Sequence, residues 1–353
     1  MESNKIKVGI THGDINGISY EVIIKSLADS RILEMCTPIV YGSPKVAAYH
    51  RKTFDTEMFT FNHIQSAKEA NSKRINIINC VDEEIRVELG KSTKQAGEAA
   101  YLALEAAVKD LKSGDIDVVV TGPINKENIQ SENFHFPGHT EYFAKEFNTE
   151  DFLMLMVSDI IKVGVVTGHI PISAVSQSLT KNRILRDLRL LHKTFIEDFS
   201  VRKPRIAVLG LNPHAGDKGV IGDEEETIIL PAIKQAYEEG IIALGPYSAD
   251  GFFGSGEFKK FDVTLAMYHD QGLIPFKSLA FESGVNYTAG LPIIRTSPGH
   301  GTAYGIAGTG TASEESFRNA LYLAIDLFEN RRKYKELSKD PLQKHEIDRT
   351  GGE

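Results

Sequence analysis

The sequence predicts an α/β fold with mainly parallel sheets, divided into two lobes. Short β-branched runs alternate with amphipathic stretches throughout the chain, an order typical of parallel sheets covered by helices. The chain has 353 residues, which exceeds the roughly 250–300 residues at which single cores usually divide. We therefore expect two domains or one bilobed unit.

The first half of the chain supplies strands and helices in alternation. The runs KIKVGIT, PIVYG, INIINC and IDVVVTG predict strands, and ISYEVIIKSLAD predicts a helix. A longer helix is predicted at KQAGEAAYLALEAAVKDLKSG, where alanine and leucine recur at helical spacing and Gly114 follows as a stop signal. IDVVVTG is apolar throughout, which is typical of a strand buried on both faces.

The second half repeats this pattern. FLMLMVS and KVGVVTG are predicted strands, and the short connection at Asp159 makes them a candidate hairpin. Helices are predicted at KNRILRDLRLLHKTFIEDF, EEETIILPAIKQAYEEG and EESFRNALYLAIDLFENRRKYKEL, with the strands RIAVLG and VTLAMY between them. The last segment, SKDPLQKHEIDRTGGE, is polar and Gly-ended and is predicted to be a solvated tail.

Composition argues against several classes of protein. The formal net charge is −8 and no long basic block occurs, so we expect neither nucleic acid nor an anionic membrane as partner. The longest apolar runs are far shorter than the ~20 residues that span a bilayer, and the N-terminal residues carry no signal-peptide core. Cys36 and Cys80 are the only cysteines, and their spacing is not that of a redox or zinc motif. We expect a cytoplasmic protein.

Three histidines follow predicted buried strands at their carboxyl ends. His169 follows KVGVVTG, His214 follows RIAVLGLNP and His269 follows VTLAMY. Ligands of open α/β sheets bind at this edge, and neutral imidazole is the commonest metal ligand in proteins. Three histidines leave coordination positions open for water or substrate, as catalytic metal sites do, and Asp270 could orient a ligand or carry a proton. Capping or core roles for these rings are the alternative, and the spacing leaves both open.

A second group of side chains suits an anionic substrate. Arg295 can hold a phosphate or carboxylate through two parallel hydrogen bonds. It lies in a segment rich in glycine and threonine, which offers backbone N–H groups and hydroxyls to an anion. Solvated surface charges and a helix N-cap are the alternatives. Further candidate donors, at a predicted helix start or beyond predicted strands, are His139, Thr140, Lys277, Asn286 and Lys126.

These segments together resemble the 4-hydroxythreonine-4-phosphate dehydrogenase family of vitamin B6 biosynthesis. TGPINK, GHTEYFA, LNPHAGDKGVIGDEE, MYHDQG and GVNYTAGLPIIRTS are similar to family signatures and follow the family order. The resemblance implies NAD-dependent oxidation of the C3 hydroxyl of 4-phosphohydroxy-L-threonine, with NADP as the alternative cofactor. The 3-oxo acid would then lose CO2 to give 3-amino-2-oxopropyl phosphate.

The resemblance also implies a fold and an assembly. The fold would be similar to that of isocitrate and isopropylmalate dehydrogenases, a bilobed homodimer whose active-site cleft is completed by the partner subunit. Residues 1–130 plus 303–353 would form the nucleotide-binding domain, and residues 131–302 the substrate, metal and dimerisation domain. No Gly-x-Gly-x-x-Gly follows the first strand, since THGDINGIS has a different spacing. The segment HGTAYGIAGTG instead resembles the adenosine-binding loop of those relatives.

Individual residues take their expected roles from the same resemblance. The ligands of one divalent zinc, magnesium, cobalt or manganese ion would be His169, His214 and His269, with His269 supplied across the dimer. The substrate-binding residues would be His139, Thr140, Lys277, Asn286 and Arg295. The cofactor-binding residues would be His300, Gly301, Thr302, Ala303, Gly308 and Thr309. The candidate proton acceptors are Asp250, Asp270 and Lys126.

The chain departs from the family in two places near the expected cofactor side. GDINGISYE stands where the family has Gly-Asp-Pro-Ala-Gly-Ile-Gly-Pro-Glu, and Gly299 stands where the family has aspartate.

Three other hypotheses about the function stay open. One is a paralogous dehydrogenase acting on D-threonate or D-erythronate 4-phosphate. The others are a phosphometabolite-binding protein without cofactor and a metallohydrolase that uses the three histidines.

Overall fold

The computed structural model describes residues 5–53, 59–82 and 84–341. Within these ranges the strands are β1 (Ile6–Thr11), β2 (Cys36–Gly42), β3 (Asn62–Ile64), β4 (Asn76–Asn79), β5 (Val118–Thr121), β6 (Leu153–Val157), β7 (Lys162–Thr167), β8 (Arg205–Leu209), β9 (Ile242–Tyr247), β10 (Val263–Tyr268), β11 (Val285–Ala289) and β12 (Ile294–Pro298). The α-helices are α1 (Ser19–Leu27), α2 (Ile32–Met35), α3 (Pro44–Thr53), α4 (Lys94–Ser113), α5 (His139–Glu146), α6 (Val175–Ser178), α7 (Lys181–Glu197), α8 (Leu230–Glu238), α9 (Ala249–Gly254), α10 (His269–Ala280) and α11 (Glu315–Leu337).

One sheet contains all twelve of the described strands. In the described part of the chain its strand order is β3-β4-β2-β1-β5-β12-β11-β6-β7-β10-β8-β9. The predicted hairpin forms between β6 and β7, with Leu155 opposite Gly164. The antiparallel pairs β12–β11, β11–β6 and β6–β7 lie together in the middle, and the other neighbouring strands are parallel. The parallel set β3, β4, β2, β1, β5 and β12 therefore runs opposite to the parallel set β7, β10, β8 and β9.

Helix α4 shows how the sequence sets the ends and the packing of an element. The Thr93 hydroxyl accepts a hydrogen bond from the backbone N–H of Ala96 and caps the helix start. Gly114 closes the helix with φ 74°, a left-handed conformation that glycine adopts without steric cost. Small buried residues such as Ala99 and Ala103 face the sheet, so the helix packs closely on β1 and β2.

Helix α11 ties the end of the chain to the middle of the sheet, where it packs on β12, β5 and β11. Near its end, Arg331 pairs with the buried carboxylate of Asp198, which follows α7. The Nε–Oδ1 distance is 2.6 Å, and the hydroxyl of Tyr287 on β11 donates to the same carboxylate. A buried charge pair with further hydrogen bonds fixes the relative position of α7, α11 and β11.

No helix of the described residues combines the length and the apolar character that a membrane span requires. The predicted polar tail falls mainly on residues 342–353, which lie outside the described residues. The domain limits predicted above stay a prediction, since one sheet continues across them.

Candidate active site

A pocket of about 260 Å³ opens beside the antiparallel middle of the sheet. Its walls come from β6, β11 and β12, from the starts of α5 and α10, and from the loops after β5, β7 and β12. The pocket brings together many residues predicted to act in the site: Lys126, His139, Thr140, His169, His269, Lys277, Asn286, Arg295, His300 and Gly301.

Arg295 forms the buried end of this pocket, with 2 % of its surface exposed. Its Nη2 lies 2.7 Å from the Thr121 hydroxyl, and its Nη1 lies 3.3 Å from the Thr288 hydroxyl. Burial lowers the pKa of Arg295 to about 9, while Glu141 acts in the opposite direction. The guanidinium therefore stays charged at neutral pH, although its hydrogen bonds here go to uncharged groups. Such a cation is suited to an anionic ligand.

His139 lies against the same guanidinium at the start of α5. Arg295 Nη2 is 3.0 Å from His139 Nδ1, so Nδ1 accepts and the ring proton of the neutral imidazole lies on Nε2. This Nε2 is buried and has no partner among the described residues. Burial lowers the pKa of His139 well below its usual value, and Arg295 and Lys126 add to the effect. A neutral ring with an unsatisfied buried N–H can donate to a ligand oxygen.

His169 and His269 also line the pocket, with ring centroids 5.6 Å apart. Lys126 Nζ donates to His169 Nε2 at 3.2 Å, which leaves that nitrogen unprotonated. Asp270 Oδ1 accepts from His269 Nδ1 at 2.7 Å, so the lone pair of His269 lies on Nε2. Partial burial lowers the pKa of His169, and Lys126 acts in the same direction. Two neighbouring imidazoles, one oriented by a carboxylate, form a donor pair that suits a divalent cation.

His214 lies in a loop that the structure does not bring to this pocket. Its strand β8 runs parallel to β10, so His214 and His269 leave the sheet at the same edge. From His214 to Lys218 the backbone is left-handed, with φ between 42° and 79°, and the His214 side chain is exposed. In the described part of the chain no group of three or more His, Cys, Asp or Glu side chains is arranged to hold a metal ion. The three-histidine ligand set stays a prediction.

The predicted proton acceptors occupy different places. Lys126 lines the pocket, whereas Asp270 is largely exposed and contacts His269 from outside. Asp250 is exposed, does not line this pocket, and accepts a hydrogen bond from the Ser248 hydroxyl at 2.6 Å. This hydrogen bond is the main cause of the lowered pKa of Asp250.

The predicted adenosine loop packs on the N-terminal GDINGISYE segment. The backbone N–H of Ile18 donates to the Thr302 carbonyl at 3.0 Å, and the Tyr304 hydroxyl donates to Asp14 Oδ2 at 2.7 Å. A Cβ at Gly17 would lie 2.5 Å from the Thr302 oxygen, so this approach requires glycine. The altered N-terminal segment thus supports the predicted adenosine loop.

The rest of this loop lies beyond the pocket. His300 and Gly301 line the pocket, while four other residues predicted to bind the cofactor do not: Thr302, Ala303, Gly308 and Thr309. At the loop's start, a Cβ on Gly299 would lie 2.8 Å from the Gly284 carbonyl oxygen. The backbone here therefore excludes the aspartate of the family.

Three residues at the pocket were not singled out from the sequence. Thr121 and Thr288 hold the Arg295 guanidinium, and Glu141 lines the pocket beside Thr140. Glu141 stands in the quoted GHTEYFA segment, Thr121 is the first residue of TGPINK, and Thr288 lies in GVNYTAGLPIIRTS. Their places within these motifs were the available signal.

The chain is similar to known proteins over most of its length. The model of the family "Pyridoxal phosphate biosynthetic protein PdxA" matches residues 34–324. A 4-hydroxythreonine-4-phosphate dehydrogenase from Bacteroides thetaiotaomicron is 55% identical over 345 residues, covering 98% of this chain and 94% of the relative. A protein from Oceanobacillus iheyensis named "Putative D-threonate 4-phosphate dehydrogenase" is 40% identical, covering 92% of this chain and 98% of the relative.

Solved structures show the same relationship. The crystal structure of 4-hydroxythreonine-4-phosphate dehydrogenase from Klebsiella pneumoniae has a TM-score of 0.78 at 34% identity, covering 93% of this chain and 99% of that one. An isocitrate dehydrogenase from Methylococcus capsulatus has a TM-score of 0.50 at 12% identity, covering 94% and 89% of the two chains, and shares the fold alone. The predicted isocitrate dehydrogenase-like α/β fold is confirmed. By its family match and its identity to these relatives, the chain belongs to the PdxA family of pyridoxal phosphate biosynthetic proteins.

Proposed function

We propose that this chain oxidises the C3 hydroxyl of 4-phosphohydroxy-L-threonine with NAD, or alternatively NADP, in pyridoxine 5'-phosphate biosynthesis. The 3-oxo acid product loses CO2 to give 3-amino-2-oxopropyl phosphate. The observation that carries the proposal is the pocket that combines the buried Arg295 cation with the facing imidazoles of His169 and His269. The 55% identity to a 4-hydroxythreonine-4-phosphate dehydrogenase supports it.

The phosphate is bound at the buried end of the pocket. Arg295 donates through its guanidinium, and His139 donates through the Nε2–H that has no protein partner. Lys277 and Asn286 line the same pocket, and Thr140 adds a hydroxyl. Phosphate binding by these groups orients C3 toward His169 and His269 without contacting the reacting carbon.

The imidazoles of His169 and His269 would hold a divalent cation. Both line the pocket of one chain, with ring centroids 5.6 Å apart, and His214 is the proposed third ligand, in a protein that acts as a homodimer. When bound, a zinc, magnesium, cobalt or manganese ion stabilises the negative charge that develops on the reacting oxygen. Asp270 keeps the His269 lone pair on Nε2, which is the atom that faces a ligand.

The loop of residues 300–309 would hold the adenosine part of NAD, and the nicotinamide would supply the acceptor for the hydride of C3. The hydroxyl proton passes to Asp270, to Asp250 or to the neutral form of Lys126, of which Lys126 lines the pocket. The reaction takes place in the cytoplasm.

The test is NADH formation by the purified protein with 4-phosphohydroxy-L-threonine, measured with and without a chelator. We expect turnover that the chelator abolishes and that added divalent metal restores. Absence of both turnover and NAD binding would refute the proposal and favour a phosphometabolite-binding protein. Phosphate release without NAD would instead indicate a metallohydrolase.

A second candidate substrate is D-threonate 4-phosphate, or its D-erythronate isomer. This candidate is supported by the 40% identity to the relative named "Putative D-threonate 4-phosphate dehydrogenase". These compounds carry a hydroxyl where the first substrate has an amine. A comparison of kcat/KM for the two classes of substrate decides between them.

A further inference from the structure

The charged groups that line the pocket are mostly cationic. The cations that line it are Lys126, Lys277 and Arg295. Among the described residues that line this pocket, Glu141 is the one carboxylate. A carboxylate placed there repels the phosphate and carboxylate of the substrate, so it lowers affinity unless a positive group of the ligand meets it.

The position of Glu141 makes its carboxylate available to a ligand. Glu141 is half-buried in the first turn of α5. A Cβ built on Gly138 would lie 3.6 Å from Glu141 Oε2 and 3.7 Å from Lys126 Cε, so the carboxylate and the lysine approach the same glycine. The carboxylate also acts on the pKa of His169 and of Arg295, opposing the lowering by burial in each case. The carboxylate therefore lines this pocket, and its charge acts on other groups there.

The protein itself does not satisfy this carboxylate. Among the described residues Glu141 has neither a hydrogen-bond donor nor an ion-pair partner for its side chain. The nearby Lys126 donates to His169 instead. A role in capping α5 does not account for Glu141, since the start of that helix has no side-chain cap.

We propose that Glu141 determines substrate specificity by accepting a hydrogen bond from the C2 ammonium group of 4-phosphohydroxy-L-threonine. This assignment rests on the proposed function and deepens it. The ammonium is the one cationic group of that substrate, and it lies between the reacting C3 hydroxyl and the carboxylate. In D-threonate 4-phosphate a neutral hydroxyl takes its place, which makes a weaker hydrogen bond to a carboxylate and leaves its charge uncompensated. Glu141 thus favours the amino acid over the hydroxy acid.

The test is Glu141→Gln, with kcat/KM measured for both 4-phosphohydroxy-L-threonine and D-threonate 4-phosphate. We expect kcat/KM for the amino substrate to fall about 10- to 100-fold, because the charge-assisted hydrogen bond is lost. The value for the hydroxy acid should stay constant or rise. Glu141→Asp keeps the charge on a shorter side chain and should give an intermediate loss for the amino substrate. Glu127→Gln, an exposed acid just outside the pocket, is the matched control and should change neither value.

The two-substrate design separates specificity from other roles. Equal losses for both substrates would overturn the assignment and indicate a positioning role, and no loss for either would overturn it as well. Calorimetric measurement of the binding of both compounds to the wild-type protein distinguishes failure of the proposed function from failure of the Glu141 assignment. If neither compound binds, the proposed function and the Glu141 assignment both fail. If both bind and Glu141→Gln weakens them equally, only the assignment fails.

Discussion

Replacing Arg295 with methionine is expected to make the ligand-free protein more stable and to abolish its response to phosphate. Arg295 is almost completely buried and hydrogen-bonds to Thr121, Thr288 and His139, which are uncharged. A buried charge without a counter-ion is unfavourable, and its retention is explained if the ligand supplies the missing anion. The substitution therefore separates the contribution of Arg295 to binding from its cost in stability.

The expected magnitude follows from the pKa of Arg295, which burial lowers from 12.5 to about 9. At about 1.4 kcal/mol for each pH unit, the charged side chain destabilises the folded protein by about 5 kcal/mol. This destabilisation is fully present below pH 9, and it is relieved as the pH rises from about 9 toward 12.5. Methionine removes it but leaves the Thr121 and Thr288 hydroxyls without their donor, at about 1–2 kcal/mol each. His139 Nδ1 also loses Arg295, but the Thr121 hydroxyl lies 3.5 Å away and can donate to it instead. The net gain should be about 1–3 kcal/mol.

The assay is urea unfolding at pH 7 with and without inorganic phosphate. Phosphate at a hundredfold excess over its Kd should stabilise the wild-type protein by about 2.7 kcal/mol and should leave Arg295→Met unchanged. Arg189→Met is the control, since Arg189 pairs with Glu239 on the surface and should alter neither the stability nor the phosphate response. A variant less stable than wild type, or one that phosphate stabilises equally, would refute the reasoning.

Three further predictions concern other parts of the molecule. Tyr304→Phe removes the hydrogen bond to Asp14. In steady-state kinetics the KM for NAD should rise about tenfold, while the KM for the phosphorylated substrate stays unchanged. Equal changes in both KM values would contradict a role on the cofactor side. Burial lowers the pKa of both His12 and His50 to about 4, so the unfolded chain binds more protons below pH 6.5. Unfolding free energy should therefore fall by about 2 kcal/mol for each ring between pH 7 and pH 5, and a flat urea-unfolding profile would contradict this. His214→Ala should lower the amount of bound metal and reduce turnover by orders of magnitude, while the midpoint of unfolding stays unchanged. Metal content is measured by atomic absorption, and an unaltered content would show that the assignment of His214 as a ligand is wrong.

Local sequence patterns predicted the helices and strands of this fold, but not how distant strands pair within one sheet. The helix before Gly114 and the β6–β7 hairpin follow from periodicity and turn signals within a short stretch of chain. The pairing of β11 with β6 joins Asn286 to Met156, far apart in sequence. Register between distant strands depends on the packed core rather than on local residues, so the single sheet and its reversal were not predicted.

The same limit applies to the site. The sequence pointed to Arg295 and to the strand-end histidines by residue type and position. It could not show that Thr121 would hold the guanidinium, because these residues meet only when β5 and β12 pair. Glu141 was missed because an acid in the first turn of a helix is ordinary, since it complements the helix dipole. Its significance comes from the cations that the fold assembles around it.

The altered N-terminal loop bears on whether the chain has kept catalysis or only ligand binding. Where the family has alanine in this loop, the chain has Asn16, whose side chain accepts from the backbone N–H of Glu88 and donates to the Lys91 carbonyl. In place of the family's second proline, Tyr20 exchanges hydrogen bonds with the backbone of Ser43. The replaced residues thus make specific buried contacts of their own and hold the segment that supports the adenosine loop. Because the altered loop still contacts Thr302 and Tyr304, the departures do not remove the support of that segment, and NAD binding by the purified protein decides between catalysis and ligand binding alone.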